Sequence, residues 1–328
     1  MRNRLVLIFS CCFFCLGCTN PKAFGEDSLS VKINRFDVDL YQYLQNEKSA
    51  DDLLQKDSSF LNIFGENVIF TGRIDSVGFF DRLRSFFSEP TLMSLYQNQQ
   101  EVFSDLTPYE QELSTGIQFL LGEFTQLKLP EFYMHVSGLN QNIVVTDSIL
   151  SLSVDKYLGQ DFPLYQEFFY DYQRQQMTPE RIVPDYLLGL LYSEFSFDRS
   201  ENTLLSYMLY EGTLRYVLSR ILPERKAWEL FGYTEAQYNW CVKNESRIWK
   251  TILQQKQLYS TDYLTIAQYI NEAPYTVPLN SSSPGKVGIW GGFRIIESYM
   301  QQHPKATLQE LINRTDYQQL FIEAKYKP

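Results

Sequence analysis

Histidine is almost missing from this chain. There are two in 328 residues, His135 and His303. Their separation gives no ligand spacing for zinc and no base for a Ser-His or Cys-His nucleophile. Gly-x-Ser-x-Gly does not occur, which removes the nucleophile elbow of the α/β hydrolases. Residues 285–292, GKVGIWGG, lack the Gly-Lys-Ser/Thr of a phosphate loop and do not follow a strand pattern. Cysteine is scarce beyond the start: Cys11, Cys12, Cys15 and Cys18 are clustered, and Cys241 stands alone. One distal cysteine cannot support a disulfide network, and Cys241, between Trp240 and Val242, reads as a small buried hydrophobe. No run of five like charges occurs, and 29 Lys and Arg face 39 Asp and Glu, a net charge of −10. Nucleic acid and an anionic bilayer surface both require clustered cations, so neither is expected as the main partner.

What is present is apolar and aromatic. Hydrophobic residues make up 44% of the chain, enough for a sizeable core, and there are 24 Phe and 23 Tyr. At the N-terminus Arg2 and Arg4 precede Leu5 to Leu16, an apolar run too short to span a bilayer. A basic start, a short apolar stretch and small residues form an export signal. The run ends Cys15-Leu16-Gly17-Cys18, which resembles a bacterial lipobox. That resemblance implies a signal peptide over 1–17 and fatty acylation (palmitate) of Cys18. Residues 18–32 would be the acylated end and tether, and 33–328 a single domain. No acidic cluster follows Cys18, so a periplasm-facing leaflet is expected, at the outer membrane rather than the inner.

The periodicity then divides the chain. Asn34 to Gln45, Val77 to Phe87, Thr91 to Phe103 and Thr107 to Phe124 read as helical, the last opened by Thr-Pro-x-Glu. Phe60 to Thr71 is mixed apolar, broken by Gly65 and Gly72. Arg35, between acids, reads as a local ion pair. Phe132–Val136, Asn142–Thr146 and Ile149–Val154 are short β-rich runs, expected as a small antiparallel meander with His135 as a strand residue. From Phe162 onward the pattern is helical: 162–173, 179–195, 201–222, 234–255, 263–271, 285–302 and 307–324, punctuated by Gly and Pro. The expected class is α+β, mostly helical, with a small antiparallel sheet preceding a central helix.

That central helix is Glu201 to Leu222. Apolar residues recur at Leu204, Leu205, Met208, Leu209, Val217 and Ile221 with a period near 3.6. It carries Tyr210-Glu211-Gly212-Thr213-Leu214. A zinc peptidase would have His-Glu-x-x-His here, two imidazoles four apart on one face. This chain keeps the glutamate but has Tyr210 and Leu214 in the ligand positions, so neither a metal nor a cofactor is expected. Arg215 is four residues from Glu211 and a candidate ion-pair partner. Glycines 291 and 292 suit a helix packed tightly against this one.

The segments RFDVDL (35–40), VDKYLGQDFPLY (154–165), PERIVPDYL (179–187), YEGTLRYVL (210–218), YTEAQYNWCVKNESRIW (233–249), SPGKVGIWGGFRIIESYM (283–300) and AKYKP (324–328) follow the lipobox in order. Together they resemble the gliding-motility lipoprotein GldB family over nearly the whole chain. The resemblance implies a zincin-like layout without its metal ligands, a degenerate peptidase scaffold. It also implies a non-enzymatic lipoprotein of the cell envelope, with envelope protein partners. The candidate vestigial-site or groove residues are Tyr210, Glu211, Leu214, Trp290 and Glu297. Two other readings stand beside it. One is a carboxylate-dependent hydrolase using Glu211, Glu297 or Asp155. The other is a glycan- or peptide-binding groove lined by Tyr207, Tyr210, Trp240, Trp249 and Trp290.

Overall fold

The computed structural model describes residues 29–140 and 142–328. The expected signal peptide, Cys18 and most of the expected tether therefore lie outside the described residues. Strand β1 (Ile33–Asn34) leads into helices α1 (Phe36–Leu44), α2 (Ala50–Ile63), α3 (Phe79–Phe86), α4 (Pro90–Val102) and α5 (Thr107–Glu123). Arg35 makes the expected local pair, with Nη2 2.7 Å from Asp37, and also donates to the Phe103 carbonyl. Asp105, not Thr107, caps the start of α5 by accepting from the Thr107 N–H at 2.9 Å. Helix α2 was invisible to periodicity before Phe60, because only Leu53, Asp57, Phe60 and Leu61 of its residues are buried. It opens with a reciprocal cap between Ser49 and Asp52.

The sheet is mixed, not an antiparallel meander. Strands β2 (Glu131–His135), β3 (Ile143–Val145) and β4 (Ile149–Ser153) join β1 in the order β1-β2-β4-β3. β2 runs parallel to both β1 and β4, and only β3 and β4 form an antiparallel pair. Burial explains the difference. Phe132 to His135 and all of β4 are buried on both faces, the situation of parallel strands covered by helices. On one face Phe60 of α2 stacks on Tyr133, and Phe60 and Phe64 flank the ring of His135. On the other lies α8 (Ile182–Glu194), whose Tyr186 packs on Phe132 and donates to the Tyr133 carbonyl at 2.6 Å.

Several expected helices are broken. Residues 162–173 form α6 (Tyr165–Phe168) and α7 (Asp171–Arg174), separated by extended Phe169. Residues 234–255 form α10 (Glu235–Lys243) and α11 (Glu245–Gln254). Asn244 parts them, its amide donating to the Trp240 carbonyl in competition with the helix. α14 (Leu308–Ile312) and α15 (Tyr317–Ala324) replace one expected helix. The central helix is α9 (Leu204–Ile221), capped reciprocally by Thr203 and Ser206. α12 (Tyr263–Ile270) precedes α13 (Val287–Gln302), which crosses α9 at backbone contact: a Cβ on Gly292 would lie 1.7 Å from the Met208 carbonyl oxygen. The buried apolar residues form one contiguous cluster, from Val31 to Ala324.

Candidate functional site

The residues singled out on α9 and α13 do not assemble into one site. Leu214 and Trp290 are fully buried in the core. The Tyr210 hydroxyl donates to the Phe195 carbonyl at 2.8 Å. Glu211 Oε2 accepts from the Tyr192 hydroxyl at 2.6 Å and faces Arg215 Nη2 at 3.9 Å. The expected i,i+4 pair is therefore present, and Tyr192 is a partner the sequence did not indicate. Glu297 belongs to another network: Arg294 Nη1 is 2.5 Å from it, and Arg294 Nε reaches Glu245 at 3.0 Å. Burial raises the Glu297 pKa. Asp155 is completely buried and accepts the backbone N–H groups of Ser137 and Leu139 at 3.2 and 2.7 Å, tying the loop after β2 to the end of β4. The three acids thus engage three separate sets of partners.

The aromatic residues do not share a groove either. Tyr207 and Tyr210 pack on Phe197, with ring centroids 4.4 and 5.1 Å away, whereas Trp249 stacks on Phe321 near the C-terminus. Both histidines are accounted for in place. His135 is fully buried in β2, its Nδ1 2.7 Å from the Ser151 hydroxyl, and burial pushes its pKa down to about 3. His303 sits at the end of α13, with Nδ1 2.9 Å from the Tyr299 carbonyl.

The feature that does assemble lies on the other side of Arg215. A cavity of about 320 Å³ opens between the end of β4, the start of α8, the middle of α9 and the start of α13. Four cations line it: Lys156, Arg181, Arg215 and Lys286, with Asp185 and Glu272 as the lining acids. Arg181 donates to the Glu229 carbonyl at 2.6 Å and pairs with Asp185, which also accepts from the Tyr157 hydroxyl at 2.9 Å. Lys286 Nζ is 3.2 Å from Glu272. Lys156 Nζ donates to the Asn142 side-chain carbonyl at 2.5 Å and lies 5.3 Å from the centre of the Phe169 ring. Burial lowers the pKa of Lys156 and of Lys286; for Lys286, Arg181 and Arg215 push the same way, while Glu272 opposes them. Arg215 is 8% exposed, and its Nε and Nη1 have no hydrogen-bond partner among the described residues.

A family model described as gliding motility protein GldB matches residues 18–328. The chain belongs to the GldB family. No curated protein and no solved structure is found similar to it. Membership makes it a gliding-motility-associated lipoprotein of the cell envelope. No helix among the described residues is long and apolar enough to cross a membrane. The GldB-like segments also account for the cavity. VDKYLGQDFPLY contributes Lys156 and Tyr157, PERIVPDYL contributes Arg181 and Asp185, YEGTLRYVL contributes Arg215, and SPGKVGIWGG contributes Lys286. Four of the seven segments therefore each place a cation in one hollow of an acidic chain. That recurrence was the available signal. Spacing along the chain relates Arg215 to Glu211 alone and gives Lys156, Arg181 and Lys286 no partner in common.

Proposed function

We propose that this chain is a lipid-anchored envelope protein that acts by binding, with the cationic cavity as its receiving site. The observation that carries the reading is the cavity itself. Four cations converge on it against two lining acids, Arg215 is buried, and it opens beside a glutamate already engaged by Tyr192 and Arg215. A hydrolytic zinc centre uses protein ligands plus a free position for water. On α9 the corresponding positions are occupied by a tyrosine bonded to a backbone carbonyl and a leucine in the core.

Cys18 is the anchor in this reading, and the family match begins at that residue. The body is docked from Val31, whose N–H donates to Ser114 of α5 at 2.9 Å. The intervening tether of about 13 residues can reach roughly 45 Å when extended, enough to hold the cavity clear of the membrane. Multiple acyl chains hold far more firmly than one. In this reading the protein faces the periplasm from the outer membrane and has envelope proteins as partners.

Two measurements on purified full-length protein test this. Cys18→Ser is expected to abolish fatty-acid labelling and move the protein from the membrane to the soluble fraction. Metal analysis after chelator treatment is expected to find no stoichiometric zinc. Retained zinc together with turnover lost in Glu211→Gln would overturn the binding reading in favour of catalysis.

A further inference from the structure

We infer that the cavity between β4, α8, α9 and α13 binds a small organic dianion, an inference that rests on the binding reading above and names the ligand class. The argument is one of charge pairing. Asp185 is bonded to Arg181 and Glu272 to Lys286, so those two cations are already matched. Lys156 makes no ion pair among the described residues, and Arg215 has only a longer one, to Glu211. The ammonium of Lys156 is held by the neutral Asn142 amide and the face of Phe169. Glu211 is 3.9 Å from Arg215 and takes its short hydrogen bond from Tyr192 instead. The Nε and Nη1 nitrogens of Arg215, with three N–H groups between them, meet no acceptor among the described residues.

Burying a donor without an acceptor is unfavourable. The remedy is an anionic oxygen at each unmatched cation, which is why the occupant carries two negative charges. Arginine N–H groups suit carboxylate and phosphate oxygens, and the lysine adds a compact point charge. The rest of the wall defines the body of the ligand. Ile143, Leu188 and Phe231 offer an apolar surface beside the side chains of Gln173 and Gln176. A volume of about 320 Å³ is at the small end of ligand pockets and admits a metabolite-sized molecule. The cations are recessed in a hollow, so the ligand enters the protein; they do not form a face that would rest on a bilayer or a nucleic acid.

The test uses the full lipidated chain in detergent micelles, followed by calorimetric titration and thermal shift. The probes are inorganic phosphate, glycerol 3-phosphate, succinate, the neutral dimethyl ester of succinate, and acetate. At least one dianion is expected to bind and raise Tm, with acetate weaker and the neutral ester inert. A response to phosphate and its ester alone identifies a phosphate ligand. A response to succinate alone identifies a dicarboxylate, and either supports the inference. Arg215→Gln and Lys156→Gln are each expected to weaken binding at least ~10-fold, whereas Lys305→Gln, on the exposed surface, leaves it unchanged. Should Arg215→Gln not fold, the half-buried Lys156→Gln keeps the test decisive. Absence of binding at ~10 mM of every dianion, equal response to the neutral ester, or binding indifferent to both variants overturns the inference. In those cases the binding reading survives if intact-cell crosslinking still captures an envelope partner. It fails only if zinc-dependent turnover appears.

Discussion

Replacing Gly292 by alanine should destabilise the protein, although alanine is the better helix former. In a helix interior Gly→Ala gains about 1 kcal/mol from propensity alone. At Gly292 the added Cβ would lie 1.7 Å from the Met208 carbonyl oxygen and 2.4 Å from its carbonyl carbon, more than an ångström inside any tolerable contact. The obstacle is backbone in the middle of α9, so no side chain can swing aside. The α9–α13 pair must separate, loosening buried Trp290, Ile295 and Ile296. Overpacking costs about 1–3 kcal/mol where neighbours can yield, and rigid backbone puts this site at the upper end. After the propensity gain, the net loss is about 2 kcal/mol, or about 4 °C in Tm for a body of this size. Gly212→Ala should behave alike, since its Cβ would lie 2.3 Å from the Gly292 carbonyl carbon. Gly122 in α5 is the internal control. Its Cβ would meet nothing within 4 Å, so Gly122→Ala should be neutral or stabilising by up to about 1 kcal/mol. Gly291 faces only the flexible end of Met208, at 3.1 Å, and its alanine variant should fall between the two. Differential scanning calorimetry of the four variants decides: a Gly292→Ala protein melting at or above wild type would refute the backbone-contact argument.

The pH dependence of stability should carry two opposing contributions. Burial and the nearby Asp39 push Asp57 up to about 6, against Lys56 and Lys48. The native state therefore binds more protons than the unfolded chain between about 4 and 6, and acidification through that window stabilises. Asp57→Asn should raise Tm at pH 8 and leave it nearly unchanged at pH 4; an equal effect at both would contradict the assignment. His135 has the reverse sign. Its pKa is depressed to about 3, so the unfolded chain takes the extra proton below about pH 6.5 and stability falls as pH drops from there. Denaturant titrations of His135→Gln should lose that slope. Cys241 is fully buried, and burial raises its thiol pKa far above neutral. It should resist iodoacetamide in the native protein and react on unfolding; native-state labelling within minutes would show that α10 opens.

Local signals in the chain were enough to specify much of the scaffold. The period of α9 and the short β-rich runs around 143–145 and 149–153 name their elements directly, because periodicity acts over a few residues. The Glu211–Arg215 pair was legible for the same reason: an i,i+4 spacing is itself a distance. The lipobox-like Cys18 and the family segments are likewise linear. Strand order was not. β2 and β4 pair in parallel because both are covered by helices on both faces, and that cover comes from α2 and α8, remote in sequence. The cavity is the strongest case. Lys156, Arg181, Arg215 and Lys286 are scattered between residues 156 and 286, and no local rule relates them. What joins them is the contact between α9 and α13 together with the docking of α8 on the sheet. Charge acts through space, and folding alone sets the spaces between distant residues.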